Sequence, residues 1–123
     1  KAYGLPKNSE EEKAKKEMVL QAALADASNV PLEIARCCGK AIDLLEEYAE
    51  KGTRIAISDV GVGACFVKTA LLGAKLNVLI NTKLMKDEKL RESIEKELTS
   101  LVFKYCKKAD EIYSYVEGLV KGE

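Results

Sequence analysis

Ser58-Asp59-Val60-Gly61-Val62-Gly63-Ala64-Cys65-Phe66-Val67 is the stretch on which the fold turns. Two polar residues open it, and from Val60 to Val67 every side chain is apolar or absent. β-branched positions are interleaved with glycine and alanine, and the spacing is helical, not alternating. The stretch predicts a helix from Val60 to Leu72, extending toward Asn81, with Ser58 or Asp59 as its N-cap. A helix that is apolar all round is expected to be buried on every side. Glycine costs about 1 kcal/mol per helical position relative to alanine. Gly61 and Gly63 therefore need a return, from close approach of a neighbouring helix or of a ligand.

Lys68, Lys75, Asn77 and Asn81 interrupt the apolar run. A charge at the middle of a bilayer costs a few kcal/mol, and a spanning helix needs ~20 mostly apolar residues. The expectation is a core helix, with no membrane as partner.

Working outward toward the C-terminus, Asp87 starts a last helix that runs to about Val120. Leu90, Ile94, Leu98, Leu101, Val102, Tyr105, Ile112, Tyr115, Val116 and Leu119 approximate an a/d stripe. Glu88, Glu92, Glu95, Lys96 and Glu97 are expected to face water. A stripe of that length must pack on other helices or on a second chain.

Toward the N-terminus, Ser9 followed by Glu12 has capping-box spacing, and Glu10, Glu11 and Glu12 sit at the positive end of the helix dipole. Pro31 lacks an N–H and pushes Val30 away from helical geometry, which predicts a kink or short break near Asn29 and Val30. A second segment then runs from Pro31 to about Lys51, with Gly52 as its stop. Strand signals are poor throughout. The fold class is all-α: an antiparallel multihelical bundle with interrupted helices, residues 1–123 forming one domain.

Composition narrows the function classes. Lys+Arg and Asp+Glu both number 20, so no basic footprint for nucleic acid exists. The chain contains no histidine, which removes the commonest general base and metal ligand. Cys37, Cys38, Cys65 and Cys106 form no Cys-x-x-Cys, so no metal site is expected. They read as small buried hydrophobes in a reducing compartment.

Three polar features border the apolar helix. Asp59 reads either as a helix cap or as a carboxylate beside a ligand cavity, with Ser58 next to it. Asn77 and Asn81 share a helix face, and either satisfy loose carbonyls at a helix break or contact a ligand. Thr53 and Arg54 lie just before the cap, and Arg54 reads as half of a surface ion pair or as an anion clamp.

Four blocks carry a resemblance: Leu5-Pro6-Lys7, Val30-Pro31-Leu32, Ala56-Ile57-Ser58-Asp59-Val60-Gly61-Val62, and Ala74 followed by Asn77-Val78-x-Ile80-Asn81. In order and spacing they resemble the formiminotetrahydrofolate cyclodeaminase/methenyltetrahydrofolate cyclohydrolase family over nearly the whole chain. The resemblance implies a cytoplasmic helical bundle, a homodimer, and a formiminotransferase as fused or separate partner. It implies cyclisation of 5-formiminotetrahydrofolate to 5,10-methenyltetrahydrofolate with release of ammonia; some stand-alone members instead resemble cyclohydrolases of the methenyl compound. A non-catalytic helical dimerisation module is the competing reading. No cofactor beyond the folate substrate is implied. Asp59 becomes the candidate catalytic residue, with Ser58, Gly61, Gly63, Asn77, Asn81 and Arg54 as candidates for substrate binding. The family's upstream Pro-Gly-Gly-Gly-Ser-like stretch and the acidic helix after it have no match here, so the chain reads as the C-terminal portion of that domain.

Overall fold

The computed structural model describes all residues, 1–123. Three long helices carry the chain: α1 (Glu10–Lys51), α2 (Ile57–Thr82) and α3 (Glu88–Val120), with single 3-10 turns at Ala2–Gly4 and Arg54–Ala56 and no strand. Short connections make consecutive helices antiparallel. Helix α2 is central and packs extensively on both neighbours, while α1 and α3 touch each other less. The core is one contiguous cluster that includes Leu32, Ile42, Leu71, Val78, Leu98 and Ile112.

Helix α1 starts as its sequence requires. Ser9 Oγ accepts from Glu12 N–H at 3.1 Å, and the Glu12 carboxylate accepts from Asn8 N–H at 2.8 Å. The expected break at Pro31 is absent: α1 continues through it as one helix of 42 residues. Pro31 and Leu32 are both buried, so packing offsets the ~3 kcal/mol a mid-helix proline costs. The missing Pro31 N–H leaves the Ala27 carbonyl, four residues back, without its helical donor. Asn81 Nδ2 approaches that carbonyl from α2 at 3.5 Å, a long contact, while bonding the Asn77 carbonyl at 2.8 Å.

Gly52 ends α1 as expected, for a different reason. Its backbone is extended, not left-handed, and its N–H donates to the Tyr48 carbonyl at 2.9 Å. A Cβ there would lie 2.5 Å from that same oxygen.

Helix α2 starts earlier than its polar residues suggest. Its N-cap is Ala56, with no side-chain cap, and Ser58 and Asp59 lie inside the first turn, both exposed. The 3-10 turn at Arg54–Ala56 feeds straight into the helix, leaving no extended residue for a polar cap to occupy. The expectation of burial on every side also fails within these 123 residues. One face, with Gly61, Ala64, Leu71, Ala74 and Val78, is buried; the other exposes Val62, Phe66, Leu76 and Ile80. By length and composition the segment Arg54–Thr82 could cross a membrane.

Asp87 caps α3 by accepting from Leu90 N–H at 3.0 Å. Gln21 holds the preceding loop, accepting from Lys86 N–H at 2.8 Å and donating to the Leu84 carbonyl at 3.1 Å. Glu95 and Glu97 do not simply face water: Glu95 accepts from Thr82 at 2.6 Å, and Glu97 pairs with Arg36. Of the four cysteines only Cys38 is buried; Cys106 is half-buried, and Cys37 and Cys65 are exposed.

Candidate functional site

The corner between α1 and α2 forms a cleft of about 490 Å³. The last turn of α1 supplies Tyr48 and Lys51, the connection supplies Thr53, and the first turn of α2 supplies Asp59. Leu45 and Val60 form an apolar floor. The volume lies within the range of small-molecule sites. Asp59 sits in the first turn of α2, at the end where unpaired backbone N–H groups point. Lys51 lies in the last turn of α1. The cleft thus offers a carboxylate, an ammonium, a phenol and a hydroxyl above an apolar floor.

The candidate residues fall into two groups. Ser58 and Asp59 occupy the first turn of α2, and Arg54 lies exposed on the 3-10 turn just before it. Asn77 lies about 27 Å from Asp59 along the helix, at 1.5 Å per residue. Asn81 lies a further turn away, where it is engaged with the carbonyls of Ala27 and Asn77. One pteridine ring therefore cannot touch both groups in this chain. The glycines are accounted for by helix packing. A Cβ on Gly61 would lie 2.9 Å from Val116 Cγ1 of α3, and one on Gly63 would lie 3.1 Å from Leu45 Cδ2 of α1. Lys68 is not a free cation, since its Nζ lies 2.6 Å from Asp110.

Sequence reasoning placed Thr53 just before the start of α2 but missed Tyr48 and Lys51 in the cleft. The only signal of those two was position, at the end of α1. It also missed a polar cluster between α1 and α3. Tyr105 donates its phenol proton to Asp43 at 2.9 Å, and Lys108 donates to Asp43 at 2.9 Å and to Glu46 at 2.6 Å. Burial works to raise the Asp43 carboxyl, but the bonds from Lys108 and Tyr105 outweigh it and hold the group below its ordinary value. Bonds to Glu46 and Asp43 push the Lys108 ammonium up. On the other flank Arg36 spans Glu97 with two bonds, Nε to Oε1 at 2.6 Å and Nη2 to Oε2 at 2.9 Å. That fork depresses the Glu97 carboxyl. Burial raises the thiols of Cys38 and Cys106, which works against nucleophilic thiolate chemistry there. No group of three or more acidic, cysteine or histidine side chains is placed to hold a metal ion.

Comparison with known proteins agrees on one family. The family model described as formiminotransferase-cyclodeaminase matches residues 1–100. A protein of Methylorubrum extorquens named methenyltetrahydrofolate cyclohydrolase is 42% identical over 97% of this chain, which spans 57% of that relative. The formimidoyltransferase-cyclodeaminase of Rattus norvegicus is 37% identical over 82% of the chain, which covers 19% of that longer protein. The Gallus gallus protein of the same name is 33% identical over a similar share. The chain thus spans little more than half of one relative and about a fifth of the others.

Proposed function

Because the chain belongs to the formiminotransferase-cyclodeaminase family, we propose that it serves a folate one-carbon enzyme that hydrolyses 5,10-methenyltetrahydrofolate to 10-formyltetrahydrofolate. The observation that carries this reading is the 42% identity sustained over 97% of the chain to a protein named for that activity. The cyclodeaminase relatives align over less of the chain and at lower identity. Their reaction, loss of ammonia from 5-formiminotetrahydrofolate, is the second reading, favoured by the description of the family itself.

The two reactions ask for similar help. In hydrolysis, a water oxygen adds to the carbon bridging N5 and N10 and gives up a proton. The bond from that carbon to N5 then breaks as the resulting hydroxyl loses its proton to become the formyl oxygen; N5 takes a proton, and the formyl group stays on N10. In cyclodeamination, N10 adds to the carbon of the protonated formimino group, the N10 proton passes to the departing nitrogen, and the carbon–nitrogen bond breaks to release ammonia and leave the methenyl cation. Each needs a positioned base or shuttle, and a carboxylate fills that role where histidine is absent. Asp59 is our candidate. Lys51 would face the anionic end of a folate, while Tyr48 would cover a flat ring above the apolar floor formed by Leu45 and Val60. Neither reaction requires a metal or a redox cofactor.

The test has two parts. Calorimetry with 5-formyltetrahydrofolate should show binding, and absence of heat would refute the folate reading in favour of a non-catalytic helical module. Loss of the methenyl chromophore, measured beside ammonia release, then separates hydrolase from deaminase. Asp59→Asn should lower turnover about 10²-fold, the usual contribution of a general base, with helical circular dichroism unchanged. Unaltered turnover would remove Asp59 from the mechanism.

A further inference from the structure

Leu45 belongs both to the floor of the corner cleft and to the contact between α1 and α2. Across that contact stands Gly63, one turn along α2 from Val60, which forms the rest of the apolar floor. The three atoms nearest a Cβ on Gly63 all belong to the end of one side chain: Leu45 Cδ2 at 3.1 Å, Cδ1 at 3.6 Å and Cγ at 4.0 Å. Gly61 differs. Its close neighbour is the buried Val116 of α3, which lines no part of the cleft. Of the two glycines that open α2, only Gly63 is packed against a residue that a ligand in the cleft would touch.

A methyl group at position 63 would be tighter against Leu45 than ordinary van der Waals contact, so the end of the Leu45 side chain would have to give by a few tenths of an ångström. It has little room on the core side, where it packs against the cluster that holds the buried Ile42 and Ala49. Leu45 is itself half-buried, and its open side is the cleft. The displacement therefore goes into the cleft and makes it shallower. The ring systems that folates present differ in the depth they need. An oxidised pterin is planar. In the tetrahydro form two ring carbons become tetrahedral and the ring puckers, so it is thicker and asks for a lower floor.

We infer that Gly63 is a specificity-determining residue of the corner cleft: by carrying no side chain it lets Leu45 lie low and leaves the depth that a puckered, reduced pterin requires. Gly63 acts through Leu45 and touches no substrate, which makes it a positioning residue. The inference rests on the folate reading of the cleft and names the oxidation state that the cleft selects.

The test compares two ligands by calorimetry: 5-formyltetrahydrofolate, reduced and puckered, and folic acid, oxidised and planar. Gly63→Ala should weaken the reduced ligand about tenfold, as one surplus methylene in an apolar pocket does, and the planar one distinctly less. Valine ends one carbon short of leucine, so Leu45→Val in the Gly63→Ala background should restore the preference for the reduced ligand. Gly73→Ala is the control for replacing a helical glycine: its Cβ meets nothing within 4 Å, and both affinities should hold. The urea midpoint of Gly63→Ala should not fall, because alanine is the better helix former and Leu45 has an open side toward which to yield. A loss of affinity without a loss of stability is the result that a merely structural glycine would not give. Equal weakening of both ligands, no weakening, a fallen midpoint, or no restoration by Leu45→Val overturns the inference. A native chain that binds neither ligand sinks the folate reading and this inference with it. A native chain that binds 5-formyltetrahydrofolate no more tightly than Gly63→Ala does sinks the inference alone.

Discussion

Gly39→Ala should unfold this domain more easily, although alanine is the better helix former. Gly39 lies in mid-α1 under the ring of Tyr105 from α3, and an added Cβ would lie 2.5 Å from Cε2 and 2.9 Å from both Cδ2 and Cζ. The contact is with the body of a rigid ring that is itself buried. To make room Tyr105 must move, and its phenol is fixed to Asp43 at 2.9 Å. Helix propensity favours alanine by about 1 kcal/mol. Overpacking costs about 1–3 kcal/mol, and losing the phenol bond costs about 1 kcal/mol. The net is a destabilisation of about 1–3 kcal/mol. With a urea slope of about 1–3 kcal/mol per molar, the midpoint should fall by about 1 M. In a Tyr105→Leu background the ring is gone, and Gly39→Ala should become neutral or stabilising. A midpoint that holds or rises in the native background would refute the packing argument.

Other expectations concern the ion pairs and the thiols. A double-mutant cycle on Arg36 and Glu97 should give a coupling of about 0.5–1 kcal/mol, weakened by salt, because both side chains are 41% exposed. Asp43 and Glu97 have depressed carboxyls, so their contribution is present above the ordinary values of 3.8 and 4.5 and is lost as pH falls through the folded values. Urea midpoints between pH 6 and pH 2 should decline, and Asp43→Asn with Glu97→Gln should flatten that decline; an unchanged slope counts against it. Cys37 and Cys65 should react with a maleimide under native conditions while Cys38 waits for unfolding, read by mass spectrometry.

The helix limits at Ser9, Gly52, Asp87 and Val120 were legible because caps and breakers act locally. Pro31 was misread because its local cost is met by neighbours far along the chain, in the core and on α2. The start of α2 was misread because a 3-10 turn took the place of the polar cap. Gly61 and Gly63 were rightly read as needing close neighbours, while which neighbours depended on tertiary packing with Val116 and Leu45. Asp59 was legible as a polar tip on an apolar helix, with Thr53 just before it, but Tyr48 and Lys51 join them only through the corner geometry. The cluster of Asp43, Tyr105 and Lys108 joins positions more than sixty residues apart, and no local pattern marks such a pairing.

The amide of Asn81, reaching toward the carbonyl that Pro31 strips of its donor, ties two distant codons together. A lineage that replaced Pro31 by alanine would restore the donor and free position 81 to drift. A lineage that kept the proline would tolerate few side chains there. Asn81 can thus be preserved by backbone accounting alone, and its loss would be felt first as a weakened middle of α1.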